Sequence, residues 1–233
     1  MKSALTGRRF FTSWSGGKDS ALALHHAIRS GGIPERLITM MTETGERSRS
    51  HGLSRDLLVR QAAAMGLPIR FASATWADYE RIFQAAVADA VTDGVDLGIF
   101  GDMDIESHRE WVISTSSRAG ADAELPLWGR ERAGLMDELV DAGFQAVLVA
   151  VRDGLLPPGL LGEIVDRDMI RRFGQAGVDL AGEKGEYHTV VVGGPIFLRP
   201  LPYAVGEKVL RDGVWFADIQ VPDPGDGVPD GTS

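Results

Sequence analysis

The stretch RFFTSWSGGKDSALALHHA, from Arg9 to Ala27, leaves the backbone few choices. An apolar run rich in aromatic residues stops at Trp14, and an apolar pattern with helical spacing begins at Asp19. A serine, two glycines and a lysine join them, so the connection is a direct strand-to-helix turn. In α/β proteins such turns sit at the carboxyl ends of strands, where ligands bind. Gly16 and Gly17 free the backbone to present N–H groups to an anion, and the helix starting at Asp19 adds the positive end of its dipole. Lys18 brings a mobile full charge, Ser15 and Ser20 bring hydroxyls, and the whole reads as a phosphate cradle.

Two familiar phosphate loops are excluded by position. The nucleoside-triphosphatase loop needs a glycine five residues before its Gly-Lys and a Ser or Thr straight after the lysine, whereas Thr12 and Asp19 stand there. The dinucleotide fingerprint G-x-G-x-x-G is absent as well.

The remainder of the first half alternates short apolar runs with helix-period segments. RLITMMT, IRFASA and LGIF read as strands, and Asp19 to Ser30, Ser54 to Met65 and Tyr79 to Thr92 as helices. Ser54 is placed to cap its helix, and Gly66 to Pro68 to end it. This alternation predicts an α/β fold with a parallel sheet and helices on both faces. Further on, ESHREWVISTSSRAG and LMDELVDAG read as helices, and FQAVLVAVR is the clearest strand of the chain. A turn-rich connector follows Gly154, and short strands resume from HTVVVGG. The expected division is a nucleotide-binding domain over 1–120, a smaller α/β substrate domain over 121–222, and a disordered acidic tail over 223–233, PDPGDGVPDGTS in its setting.

Composition removes whole classes of function. The 233 residues contain no cysteine, which excludes disulfides, thiolate metal sites and cysteine nucleophiles in cis. A net charge of −9 without a long Lys/Arg run disfavours nucleic acid as a partner. No apolar run approaches the roughly 20 residues that span a bilayer, and the first residues lack the apolar core of a secretory signal. The expected compartment is the cytoplasm.

The complete SGGKDS loop resembles that of the N-type ATP pyrophosphatases, and implies a HUP/Rossmann-like domain that splits ATP between its α and β phosphates. The resemblance implies ATP binding by Ser13, Ser15, Gly16, Gly17, Lys18, Asp19 and Ser20, with Asp19 as a partner of Mg²⁺. RSHGLSRDLLVRQAAAMGLPI, FGDMDIESHREWV, PLWGRER, GEKGEYHT and GPIF are similar, in that order, to the diphthine ammonia ligase family. That likeness extends from Phe10 to about Pro202.

Gly101 and Asp102, just past a buried strand, are placed to approach the nucleotide, while Asp104 reads equally as a turn residue. His51 stands in a loop from which it could reach an α-phosphate, or it is a solvated loop histidine. GEKGEYHT is the second chemical centre. The resemblance implies that Glu183, Glu186, Tyr187, His188 and Thr189 line the acceptor pocket, with Lys18, Asp19, Glu183 and Glu186 as the catalytic set. Lys184 and His188 replace a glycine and an acid of that family's pattern, which predicts a more basic pocket and an acceptor less cationic than diphthine. The implied activity is an ATP-dependent amide-forming ligase: a carboxylate becomes an acyl adenylate, pyrophosphate leaves, and ammonia attacks. Two other readings stay open, a tRNA-modifying ATP pyrophosphatase and a non-catalytic adenine nucleotide-binding protein. A homodimer is also left open.

Overall fold

The computed structural model describes residues 4–222; the tail segment 223–233 lies outside the described residues. The first half builds β1 (Arg9–Ser13), α1 (Lys18–Arg29), β2 (Ile33–Met41), α2 (Arg55–Met65), β3 (Ile69–Ser73), α3 (Tyr79–Thr92), β4 (Leu97–Ile99), α4 (Glu106–Arg118) and β5 (Asp122–Glu124). These five strands form one parallel sheet in the order β3-β2-β1-β4-β5. Strand order reverses beside β1, which makes the end of β1 the topological switch point where α/β sheets open a crevice for ligands.

Helices cover both faces, as the continuous apolar runs demand. Phe10, Leu37 and Met41 pack with α1 and α2, whereas Phe11, Ile38 and Met40 pack with α3 and α4. Consecutive residues of one strand point to opposite faces, so each strand feeds two cores. The Ser54 hydroxyl accepts from the Leu57 N–H at 3.3 Å and caps α2, and Gly66 ends that helix at φ 70°.

The second half builds α5 (Arg132–Asp141), β6 (Gln145–Arg152), α6 (Arg167–Gln175), β7 (Tyr187–Gly193), β8 (Ala204–Arg211) and β9 (Val214–Gln220). Its four strands pair antiparallel in the order β7-β6-β9-β8. Asp212 and Gly213, at φ 49° and 76°, form the two-residue turn that joins β8 to β9.

The parallel sheet continues to Glu124 in β5, past the boundary expected at 120. The two sheets also share one hydrophobic core, in which Trp14, Leu24 and Leu58 of the first half meet Val147, Val190 and Phe173 of the second. The antiparallel sheet is therefore packed on the α1–α2 side of the fold.

Candidate active site at the seam of the two sheets

The chain leaves β1 through Trp14, whose N–H donates to Ile38 O at 2.8 Å and whose indole N–H donates to Gln61 Oε1 at 3.1 Å. It then turns at Gly16, φ 84°, a conformation that side-chain-bearing residues resist. The Gly16 carbonyl accepts from the Val191 N–H at 2.9 Å and from Gln61 Nε2 at 3.0 Å. Gln61, fully buried on α2, also donates to Val191 O at 2.6 Å, so one amide ties the loop, α2 and β7 together. The Lys18 N–H donates to Thr189 Oγ1 at 3.1 Å. Inside the loop, Ser15 Oγ accepts from the Gly17 N–H at 3.2 Å and lies 3.0 Å from Ser20 Oγ.

Two glycines are dictated by close approach. A Cβ on Gly17 would stand 2.8 Å from His51 Nε2 and 3.1 Å from Thr189 O. One on Gly101 would stand 2.8 Å from the Asp19 carbonyl carbon. The turn after β4 therefore lies directly on the loop, as its place at the same sheet edge predicts.

Lys18 is buried, with Nζ donating to Asp19 Oδ2 at 2.9 Å and to Ala181 O, and lying 5.3 Å from the Tyr187 ring centre. An acidic environment surrounds it. Loss of water raises the Asp102 carboxyl, and Asp19 adds to the effect against the opposing pull of His108. Glu183 is pushed up to about 7, first by burial and then by Asp19, with Lys18 and Arg132 pulling the other way. Lys18 bonds to Ala181 O and to Thr189 Oγ1 on either side of it, so the turn that carries Glu183 packs against the phosphate loop.

The rest of GEKGEYHT is divided between packing and the seam. Glu186 Oε2 accepts from the Lys184 N–H at 3.0 Å and closes the turn. Tyr187 is buried against Phe173, its hydroxyl donating to Leu180 O. Thr189 is spent on the loop, as described. Lys184 faces solvent, and burial together with Lys18 pushes the His188 imidazole below its ordinary range. Lys184 therefore adds no buried charge to the seam. Asp104 is held by two hydrogen bonds from Arg132, at 2.8 and 2.7 Å, and Arg132 also pairs with Asp179.

Two cavities flank the loop. One, of about 90 Å³, lies at the carboxyl ends of β1 and β2 and is lined by Ser13, Trp14, Met40, Arg49, Trp76 and Tyr79. The Arg49 guanidinium lies 4.5 Å from the Trp76 ring centre and donates to Glu43 at 2.7 Å and to Ala74 O. Its Nε is buried without a partner among the described residues. The other cavity, of about 510 Å³, separates the Arg47–Leu57 segment from the antiparallel sheet, with Val149, Val209 and Phe216 opposite His51. His51 and His188 meet edge to face there, 4.7 Å between ring centres.

Arg49, Gln61, Trp76 and Arg132 also belong to this site; Arg49 and Gln61 lie in the stretch RSHGLSRDLLVRQAAAMGLPI and Arg132 ends PLWGRER, but no signal in the sequence assigns any of the four a role.

Fold and loop together define a doubly wound α/β protein of the nucleotide-binding kind, closed at its ligand edge by an antiparallel sheet. The family model described as Diphthamide synthase N-terminal domain matches residues 8–122, and the one described as Diphthamide synthase C-terminal domain matches 131–220. The chain belongs to the diphthamide synthase family. A protein of Danio rerio named Diphthine--ammonia ligase is 26% identical over 242 residues, covering 88% of this chain and 90% of its own. The Homo sapiens protein of the same name is 30% identical over 97 residues, 40% of this chain and 36% of its own. Among solved structures, a chain described as a predicted subunit of tRNA methyltransferase from Methanocaldococcus jannaschii aligns at TM-score 0.45 and 16% identity, covering 81% of this chain and 98% of that one. That score is too low to assign anything.

Proposed function

We propose that this chain is an ATP-dependent amide-forming ligase that activates a carboxylate as its acyl adenylate and releases pyrophosphate. The observation that carries this reading is a phosphate loop at the switch point with the acidic GEKGEYHT turn packed against it, Lys18 bonding to Ala181 O before the turn and to Thr189 Oγ1 after it. The family and the name of its curated relatives agree with it.

The residues divide the work by chemistry. The α1 N-terminus, with the loop N–H groups not engaged by Ser15 and Thr189, holds the departing pyrophosphate. Lys18 neutralises charge that grows on it, released from Asp19 and Ala181 O. The cavity with Trp14, Trp76 and Tyr79 receives the adenine by ring contact, and Arg49 supplies the unpartnered N–H. Asp19 and Asp102 fit Mg²⁺ in the manner usual for it, through one or two carboxylates plus substrate phosphates; among the described residues no protein-only cluster of three ligands exists. When bound, Mg²⁺ would offset the charge of the phosphates. The acceptor reaches the α-phosphate from the larger cavity, past His51. Ammonia is the amine in this reading, since no cysteine is present to draw nitrogen from glutamine. The cytoplasm remains the proposed compartment, and among the described residues no helix is long and apolar enough to cross a membrane.

The test is pyrophosphate release with Mg²⁺, ammonium and a panel of carboxylates that includes a diphthine-bearing peptide. Release dependent on one carboxylate supports the ligase; nucleotide binding with no turnover on any member would leave a non-catalytic nucleotide-binding protein.

A further inference from the structure

The amide-forming step needs a feature that the phosphate loop does not supply. Ammonium carries no lone pair and is the dominant species at neutral pH. To become an amide nitrogen it must lose one proton before it attacks and a second as the tetrahedral adduct collapses. A proton acceptor must therefore stand where acceptor and α-phosphate meet.

Two imidazoles stand there. His51 Nε2 faces the phosphate loop, 2.8 Å from where a Cβ at position 17 would stand. Its Nδ1 lies 3.3 Å from Ser50 Oγ, a partner that can hold the proton on that nitrogen and leave Nε2 bare. His188 reaches the same point from β7, 4.7 Å between ring centres. His51 also lines the larger cavity, so it borders both loop and cleft, with the His188 ring packed against it. Among the described residues, neither His51 Nε2 nor the His188 ring nitrogens make a hydrogen bond.

We propose that His51 and His188 are the proton acceptors of the aminolysis step, receiving ammonium through the cleft between Arg47–Leu57 and the antiparallel sheet. This rests on the ligase reading above. Ammonium gives its first proton to His51 Nε2, and the freed lone pair attacks the acyl carbon of the adenylate. The C–N bond forms, the adduct nitrogen gives its second proton to His188, and the C–O bond to AMP breaks with its electron pair leaving on AMP. His51 returns its proton to water through the cleft before His188 takes the second, so the adjacent rings are not charged together.

The surroundings favour neutral rings before the step. Loss of water, His188 and Lys18 hold His51 well below its ordinary range. His188 is lowered by burial and Lys18, with Asp19 opposing. On the cleft side the charged groups are Arg47, Glu207, Arg211, Asp212 and Asp218, with Arg47 paired to Asp218 at 3.3 Å.

Two measurements test this. Nitrogen-15 NMR of the ATP-bound full chain at pH 7 should show both rings neutral and His51 protonated on Nδ1 only; an imidazolium at either position overturns the proposal without any acceptor being known. With a carboxylate from the pyrophosphate screen, His51→Gln should lower ammonium-dependent product by at least tenfold. Hydroxylamine, mostly a free base at that pH, should restore it to within about threefold of the parent. Equal losses with both amines would make His51 a positioning residue and overturn the proposal. Failure of every carboxylate to release pyrophosphate would strike the ligase reading and leave the NMR result to decide this one.

Discussion

Lys18 and Thr189 stand 171 positions apart in the chain and are joined by a hydrogen bond from the Lys18 N–H to Thr189 Oγ1 at 3.1 Å. The donor belongs to the phosphate loop and the acceptor to β7, so the second sheet sets the height of the loop. Thr189→Val keeps the shape and removes the acceptor, leaving a buried N–H unpaired. The expected loss is about 1–3 kcal/mol of stability, read by urea unfolding, with a larger proportional loss in pyrophosphate release. An unchanged midpoint and turnover would mean that the two halves hold the loop without this contact.

Lys18→Ala removes a buried cation beside the loop. Turnover should fall by about two to three orders of magnitude, as for loss of one preorganised contact to developing charge. The parent should yield AMP and pyrophosphate only, because Asp19 occupies the place where γ-phosphate loops carry Ser or Thr. ADP among the products, separated by anion exchange, would refute the assignment of the scissile bond.

Glu183 gives a pH signature. Its carboxyl is raised to about 7 from 4.5, so the folded chain keeps that proton over a range in which the unfolded chain has released it. The unfolded state then binds fewer protons, and this group's contribution to stability is full below pH 4.5 and falls as pH rises towards 7. Glu183→Gln should therefore raise the melting temperature at pH 8 relative to the parent, and leave it nearly unchanged at pH 4. The same gain at both pH values would locate the effect outside ionisation.

Arg49 and Trp76 should govern nucleotide affinity. Arg49→Ala or Trp76→Ala should weaken ATP binding about tenfold, the scale of one cation–π or charged hydrogen-bond contact. Calorimetry against ATP and inorganic pyrophosphate separates the sites: both variants should bind pyrophosphate normally. A matching loss for pyrophosphate would move the pair to the phosphate end.

The fold was legible where one period dominated. Helices α1, α2 and α3 and strands β1 to β4 carried apolar runs of distinct spacing between punctuating glycines. Strand β5 was not legible, because the three residues Asp122–Glu124 are too few to show alternation. The β8–β9 hairpin carried its turn signal in Asp212-Gly213, yet β8 has no buried residue and so no apolar pattern. In the site, the loop was legible because its chemistry is contiguous. Gln61, Arg49 and Trp76 were not, since each acquires its role from neighbours 25 to 130 positions away, such as Ala74 for Arg49 and Val191 for Gln61. Tyr187 and Thr189 were legible as important residues, but only packing shows that their hydroxyls are engaged with Leu180 and Lys18.

Gly17 offers the last test, because its need for hydrogen in place of a side chain is steric alone. Its φ of −95° suits any residue, so no backbone strain accompanies a substitution. An alanine Cβ, however, would meet His51 Nε2 at 2.8 Å and the Thr189 carbonyl at 3.1 Å. The imidazole can swing aside, whereas the carbonyl belongs to a paired strand. Gly17→Ala should lower the melting temperature and abolish pyrophosphate release. Adding His51→Ala should recover part of the melting temperature and none of the activity, since the loop would still be lifted from β7. Full recovery of both in the double variant would show that His51 alone enforces the glycine and that the distance from loop to β7 does not matter.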